Sequence, residues 1–205
     1  DVYKRQTLKT PLAFAELDPP EDPTIIFYRE PAAPDMEIET TPQLLDAVDT
    51  ARILWIPASR FAFDRSRTTV TELLQRRNRK HHTVLDLDWR PMFWDSEEQA
   101  HAAISPMLDH VTIAIGNRKE CEVAVGTDDP DEAADRMLDR GLDAAIVKLG
   151  GDGVMVATPQ LRERLSPYPV EVVCGLGSGD AFGGAFCHGL LAVSYTHLRA
   201  HETAQ

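Results

Sequence analysis

A regular alternation of short apolar runs and helical segments dominates the middle of the chain and restricts the folds open to it. The apolar runs span residues 52–57, 82–89, 110–116, 143–158 and 168–173. The helical segments between them span residues 66–80, 95–108, 117–126 and 129–141. Strands separated by helices need right-handed crossover connections, so the pattern predicts an α/β fold with a mostly parallel sheet.

The beginning of the chain contains two short apolar stretches separated by an acidic, proline-rich turn. "PLAFAEL" starts at Pro11 and "TIIFYRE" starts at Thr24, with "DPPEDP" between them. Two short strands around such a turn predict a hairpin or an edge flap, which we expect within residues 7–35. Thr41 and Pro42 then mark a helix start, because threonine is a good cap and proline suits the first helical position.

Composition limits the class of protein. With 205 residues and 43% hydrophobic content, the chain is long enough and apolar enough to build a core. Its net charge of −12 argues against a nucleic-acid or anionic-membrane surface, and no apolar run reaches the roughly 18 residues of a membrane span. Three scattered cysteines do not form a disulfide framework or a zinc site. We therefore expect a cytoplasmic protein whose partners are small molecules.

The two ends of the sequence differ from the part between them. Residues 1–6 and 194–205 carry no amphipathic period continuous with their neighbours, and they resemble translated adapter text. We expect both segments to be non-native and the native domain to occupy residues 7–193. A helix that starts near Asp180 would then end after about Ala192.

The glycine-rich stretch "GLGSGDAF" (175–182) follows the last apolar run and opens a helix. The N–H groups of Gly177, Ser178 and Gly179 can face inward at the positive end of that helix, which suits a phosphoryl group that gains negative charge. Asp180 in the same turn can accept a proton from an attacking hydroxyl. A tight turn with Asp180 complementing the helix dipole explains the same residues. The absence of a following Gly-Lys-Ser/Thr excludes a P-loop.

"GLGSGDAFGGAF" resembles the second signature of the PfkB (ribokinase-like) sugar kinases, in which a Gly-Ala-Gly-Asp core forms an anion hole and carries the catalytic Asp. Ser178 stands where that family usually has Ala, and Cys174 and Gly175 stand where it usually has Asp-Thr. The phrases "FYREPAAPD" and "DLDWRPMFW" are similar to the 5-dehydro-2-deoxygluconokinase branch. The resemblance implies that Asp180 is the catalytic base, that the 177–179 backbone is the anion hole, and that the fold is a three-layer α/β/α sandwich.

Two further segments resemble parts of the same family. "GNRKECEVAVG" resembles its Asn-x-x-Glu segment, which implies that Asn117 and Glu120 help to place Mg²⁺ and its waters; oxygen ligands suit that ion. Without the family, Asn117 as a helix cap with a Glu three residues later explains the pair. "VKLGGDG" resembles the nucleotide-side strand and glycine turn, which implies that Lys148, Gly150 and Gly153 line the ATP site. By itself this segment is an ordinary hairpin turn.

Two arginines are candidates for contacting the substrate. "LDLDWRPMFW" resembles the Asp-x-Asn-x-Arg region of these kinases, and the fork of Arg90 suits a transferred phosphate or a substrate carboxylate. Pairing of Arg90 with Asp86 or Asp88 is the alternative. Arg29 follows the predicted flap and could meet the carboxylate of an acidic substrate, although an arginine on an edge strand is usually solvated.

The resemblance implies transfer of the γ-phosphate of ATP, with Mg²⁺, to a sugar-acid hydroxyl. For this branch the acceptor is 5-dehydro-2-deoxy-D-gluconate, phosphorylated at its 6-hydroxyl. Family members also carry an N-terminal section with a sugar-binding Gly-Gly signature and later segments that close around the adenine. We therefore expect residues 7–193 to be a partial kinase domain, truncated at both ends and weakly active or inactive alone.

Two alternatives stay open. The first is another kinase of the family, acting on 2-keto-3-deoxygluconate, fructose or a nucleoside. The second is a non-catalytic nucleotide- or sugar-binding regulator on the same fold, which loss of the acid after Gly-x-Gly would favour; Asp180 is present. Whether the full-length parent is a homo-oligomer is left open as well.

Overall fold

The computed structural model describes residues 8–18 and 23–202, with side chains as far as Ala192. They belong to two compact units. One unit contains Pro31–Tyr168, and the other contains the described parts of Thr10–Glu30 and Pro169–Gln205.

A two-stranded antiparallel sheet in the second unit confirms the predicted hairpin. Strand β1 (Leu12–Glu16) pairs with β2 (Thr24–Tyr28). The rings of Phe14 and Tyr28 meet edge to face, with centroids 5.5 Å apart. Most of the predicted turn, residues 19–22, lies outside the described residues. Whether this hairpin serves as a flap over a substrate stays a prediction.

The first unit is built on a six-stranded sheet whose strands lie side by side in sequence order. The strands are β3 (Ile53–Pro57), β4 (His82–Asp86), β5 (Ile113–Asn117), β6 (Ala144–Lys148), β7 (Val154–Ala157) and β8 (Arg162–Leu165). Strands β3 to β6 are parallel, and β7 and β8 run antiparallel to their neighbours. This mostly parallel sheet confirms the predicted α/β fold.

Helices connect the parallel strands, and most of them begin at a residue that the sequence marks as a cap. The helices of this unit are α1 (Pro42–Thr50), α2 (Asp64–Arg77), α3 (Glu97–Ile104), α4 (Arg118–Val125) and α5 (Pro130–Asp139). Thr41 caps α1 as predicted, because its hydroxyl accepts the Leu44 N–H at 3.2 Å. The predicted helix 95–108 is shorter, since Ser105–His110 forms a 3₁₀ segment. Pro106 lacks the N–H that an α-helix would need there.

The core of the first unit lies around strands β4, β5 and β6. Their apolar runs are buried almost without interruption, as expected for parallel strands that are covered on both faces. Leu85, Ile115 and Ile146 have at most 1% of their surface exposed, and full burial of such a side chain contributes about 1.5–3 kcal/mol. The buried parts of these strands therefore fix the positions of the polar residues at the strand ends.

The prediction of a strand at 168–173 is wrong. The segment forms no strand, and Tyr168 and Val170 are 86% and 73% exposed. Its alternating apolar residues suit a sheet, but a strand also needs a neighbour with which to exchange backbone hydrogen bonds. The last strand of the sheet is instead β8, a segment that the sequence reading missed because it consists mostly of charged residues.

Helix α6 (Ser178–Glu202) begins where the glycine-rich motif predicts a helix start. Its backbone continues past Ala192, so the predicted end there is wrong; the following residues contain no glycine or proline to stop a helix. Residues 1–6, predicted to be non-native, lie outside the described residues, and the origin of 194–205 stays a prediction. Among the helices described, none is both long and apolar enough to cross a membrane.

Candidate active site

The parallel strands of the main sheet end on polar residues at one edge. Asp86, Asn117 and Lys148 are the last residues of β4, β5 and β6. Asn117 lies directly opposite Lys148 in the β5–β6 register, and adjacent strands are about 4.8 Å apart. In open α/β sheets this carboxyl-end edge is where ligands bind.

A partly buried group of charges lies at this edge. The ammonium nitrogen of Lys148 is 3.4 Å from Glu120 Oε2 and 4.0 Å from Asp86 Oδ1. Burial raises the pKa of Asp86 to about 6, an effect that the charge of Lys148 opposes and those of Glu120 and Asp88 reinforce. The sequence pattern indicates Asp86 only as an alternative partner for Arg90. Its position at the end of a parallel strand was the signal that could have identified it as a site residue.

Asn117 and Glu120 cap the first turn of α4 reciprocally. Asn117 Oδ1 accepts the Glu120 N–H at 2.9 Å, and Glu120 Oε2 accepts the Asn117 N–H at 2.6 Å. The capping alternative for this pair is thus realised. These two bonds use Glu120 Oε2 and leave Oε1 out of the cap.

The donor set fits Mg²⁺ held through water better than Mg²⁺ held directly. Within residues 8–18 and 23–202, no group of three or more His, Cys, Asp or Glu side chains has an arrangement that could hold a metal ion. Mg²⁺ commonly keeps several waters and is bound through few carboxylates together with substrate phosphates. Two carboxylates and one amide at the sheet edge match that kind of site.

The two predicted nucleotide-side glycines lie in the turn between β6 and β7. Gly150 has a φ of +61°, and a Cβ there would meet no atom within 4 Å. Gly153 has a φ of +92°, and a Cβ there would lie 2.0 Å from the Leu165 carbonyl oxygen. Gly153 is therefore required by the approach of β8, whereas Gly150 faces open space that a ligand can enter.

Arg90 follows β4 and pairs with an acid two residues away. Its Nε donates to Asp88 Oδ1 at 2.7 Å, so the alternative pairing is present. The arginine side chain remains 42% exposed. Because this bond uses Nε alone, the two terminal nitrogens of the guanidinium retain donors for an anion.

The glycine-rich motif and Asp180 lie in the second unit. Gly177 has a φ of +82°, and its carbonyl oxygen accepts the Ala181 N–H at 2.9 Å, which begins α6. The Ser178 N–H donates to the Gly175 carbonyl at 3.2 Å. The N–H groups of Gly179 and Asp180 fall in the first turn, where a helix offers them no acceptor of its own. The Asp180 side chain is exposed.

The predicted site residues are thus divided between the two units. The first unit brings Asn117, Glu120 and Lys148 together and holds Arg90, Gly150 and Gly153 in loops that follow its strands. The second unit holds the 177–180 turn and Arg29, whose guanidinium lies 5.5 Å from the centre of the Phe27 ring.

Known relatives agree with the predicted resemblance. The chain is 29% identical over 189 residues to the 5-dehydro-2-deoxygluconokinase of Geobacillus thermodenitrificans (strain NG80-2), covering 89% of this chain and 56% of that protein. It is 28% identical to the Bacillus subtilis (strain 168) protein of the same name, covering 90% and 58%. The chain therefore spans about half the length of the curated relatives that it matches.

Solved structures share the fold. A fructokinase from Vibrio cholerae O395, bound to fructose, ADP and calcium, has a TM-score of 0.72 at 21% identity, covering 86% of this chain and 57% of that one. A fructokinase from Xylella fastidiosa with bound ATP has a TM-score of 0.70 at 20% identity, covering 87% and 55%.

The family comparison extends over the whole sequence. The family model described as "pfkB family carbohydrate kinase" matches residues 1–205. Asp180, which directly follows Gly179, and the polar sheet edge lie in the segments that carry the predicted family resemblance. The chain belongs to the pfkB family of carbohydrate kinases.

Proposed function

We propose that the protein transfers the γ-phosphate of ATP to the 6-hydroxyl of 5-dehydro-2-deoxy-D-gluconate. The observation that carries this proposal is the position of Asp180 in the first turn of α6, directly after a glycine turn, in a chain of the pfkB family. The choice of acceptor rests on the 5-dehydro-2-deoxygluconokinases at 28–29% identity.

Asp180 is the proposed general base. Its carboxylate accepts the proton of the acceptor hydroxyl while the hydroxyl oxygen forms a bond to the γ-phosphorus. The bond from that phosphorus to the β–γ bridging oxygen breaks, and ADP leaves with the bond's electron pair. The N–H groups of Gly179 and Asp180 lie at the positive end of α6 and stabilise the negative charge on the transferred group. Ser178 and Gly177 shape the turn that exposes them.

The nucleotide is proposed to bind over the carboxyl edge of the main sheet. Gly150 leaves open space beside the β6–β7 turn, Gly153 fixes that turn, and Lys148 brings a positive charge near the phosphates. Asn117 and Glu120 are the proposed water-mediated holders of Mg²⁺, which when bound neutralises charge on the β- and γ-phosphates.

Two arginines are the proposed recognition groups for anionic parts of the reactants. Arg90 pairs with Asp88 through Nε and presents its remaining donors to a phosphate or carboxylate. Arg29 follows β2 and is proposed for the carboxylate of the sugar acid. A bidentate contact between a guanidinium and a carboxylate would favour acids over neutral sugars.

The test is ATP consumption with 5-dehydro-2-deoxygluconate beside 2-keto-3-deoxygluconate, fructose and ribose. A gene product of the relatives' length that contains this sequence should be measured together with the 205-residue chain, which we expect to turn over slowly. A strong preference for the first acceptor supports the proposal. Preference for another acceptor keeps the kinase chemistry and refutes the substrate. No consumption with any of the four by the longer protein favours a binding protein or regulator.

A further inference from the structure

Lys148 places a positive charge directly beside Glu120 and close to Asp86. Its Nζ lies 3.4 Å from Glu120 Oε2 and 4.0 Å from Asp86 Oδ1, so one ammonium serves two carboxylates from neighbouring elements. Lys148 ends β6, Asp86 ends β4, and Glu120 lies in the first turn of α4. The charges therefore meet because of the fold, with no local sequence spacing that brings them together.

The low exposure of these three side chains strengthens the electrostatic interactions among them. The side chains of Glu120 and Asp86 are 11% and 16% exposed, and that of Lys148 is 24% exposed. Because solvent screens charges weakly at such a site, a positive charge beside a carboxylate strongly opposes the approach of a second cation. The lysine remains accessible enough to move toward an incoming anion.

We propose that Lys148 is a resident cation that keeps free divalent ions away from Glu120, so that Mg²⁺ enters this site only together with the nucleotide. The phosphates supply the negative charge that lets both cations stay, and Lys148 turns from Glu120 toward a phosphate oxygen. This inference rests on the proposed placement of Mg²⁺ near Glu120. Lys148 thus sets the order in which the cation and the nucleotide enter the site.

The experiment measures Mn²⁺ binding to the 205-residue chain without nucleotide, by electron paramagnetic resonance of the free ion. Lys148→Met removes the charge and keeps the length of the side chain, whereas Lys148→Arg keeps the charge. Lys148→Thr is a second neutral variant should Lys148→Met fold poorly, and circular dichroism melts establish which variants are folded. The double variant Lys148→Met/Glu120→Gln separates this site from other acids on a chain of net charge −12.

We expect the neutral variants to gain a Mn²⁺ site at least roughly tenfold tighter than any in the wild type, about 1.4 kcal/mol. Lys148→Arg should resemble the wild type, and the double variant should lose the gain. Equal Mn²⁺ affinity of Lys148→Met and wild type would overturn the proposal. A gain by Lys148→Arg as large as that by Lys148→Met would overturn it too, because the cause would then be altered packing.

A second titration with ADP present distinguishes this inference from the proposed kinase function. Loss of the lysine charge should weaken binding of Mn²⁺·ADP while it tightens binding of Mn²⁺ alone. Unchanged or tighter Mn²⁺·ADP binding in folded Lys148→Met would refute the turn of Lys148 toward phosphate. Absence of ADP binding by every variant would count against nucleotide binding by the 205-residue chain, while the contrast in free Mn²⁺ would still decide whether Lys148 excludes the ion.

Discussion

Asn117 and Glu120 each accept a hydrogen bond from the other's backbone N–H. The Asn117 Oδ1 lies 2.9 Å from the Glu120 nitrogen, and the Glu120 Oε2 lies 2.6 Å from the Asn117 nitrogen. The pair therefore has a structural role in α4 in addition to the proposed contact with Mg²⁺. We expect Asn117→Ala to lower the free energy of unfolding by about 1 kcal/mol, the usual effect of losing an N-cap. Urea denaturation checks this, and an unchanged unfolding midpoint would contradict the capping role.

Glu120→Gln separates the two roles of that side chain. Glutamine can also complete a capping box, so α4 should keep its start, whereas the negative charge beside Lys148 is lost. We expect near-normal helix content by circular dichroism, together with a higher Mg²⁺ requirement of the longer protein in the kinase assay. Full activity at low Mg²⁺ would remove Glu120 from the metal site.

Asp180→Asn tests the proposed base. The amide keeps the shape of the side chain but cannot accept the proton, so kcat should fall by roughly 10²–10⁴ with little effect on ATP affinity. Asp64→Asn is a matched control, because Asp64 also lies in the first turn of a helix and its side chain is 98% exposed. A loss below about tenfold for Asp180→Asn would rule out the base role.

The buried Asp86 carboxyl should make stability depend on pH. Its pKa is raised from 3.8 to about 6 in the folded protein, so between these values the folded state binds more protons than the unfolded state. The contribution of this group to the free energy of unfolding is therefore fully present below about pH 4. It is lost as the pH rises through 6, and the loss is at most about 3 kcal/mol.

Asp86→Asn removes that titration. Relative to wild type, the variant should become more stable on going from pH 4.5 to pH 7, because only the wild type must then bury the carboxylate charge. Urea denaturation of both proteins at the two pH values gives this difference. A stability difference independent of pH would show that Asp86 titrates normally.

The β6–β7 turn offers a matched pair of glycine substitutions. Gly153→Ala would place a Cβ 2.0 Å from the Leu165 carbonyl oxygen and should lower the free energy of unfolding by more than about 3 kcal/mol. Gly150→Ala meets no atom within 4 Å and should cost about 1–2 kcal/mol for its left-handed backbone. Similar unfolding midpoints for both variants would contradict the close approach of β8.

The sequence predicted the central sheet well because its signals are local. Buried parallel strands appear as unbroken apolar runs, and caps such as Thr41 and Asn117 mark the helices that follow. Strand β8 was missed because pairing with β7, and not apolar character, makes it a strand. The prediction of a strand at 168–173 is wrong for the opposite reason. The segment has a suitable apolar pattern, but no strand lies beside it in the structure.

The candidate site could be predicted only in part. Residue types and their positions after strands identified Asn117, Glu120 and Lys148, and the structure brings these three together. The ion pairs of Lys148 with Glu120 and Asp86 depend on the register of three strands, which no short motif contains. Asp180 and Arg29 lie in the other unit, so their proposed roles still rest on the family resemblance.

The division between buried strand bodies and polar strand ends also bears on how such proteins diverge. Leu85, Ile115 and Ile146 are buried by packing, whereas Asp86, Asn117 and Lys148 lie one or two positions further along the same strands and end at the polar edge of the sheet. A substitution at a strand end can therefore alter the charge at this edge without opening a cavity in the core. The sheet can therefore be kept in chains with only about one residue in five identical, as in the fructokinases that share this fold.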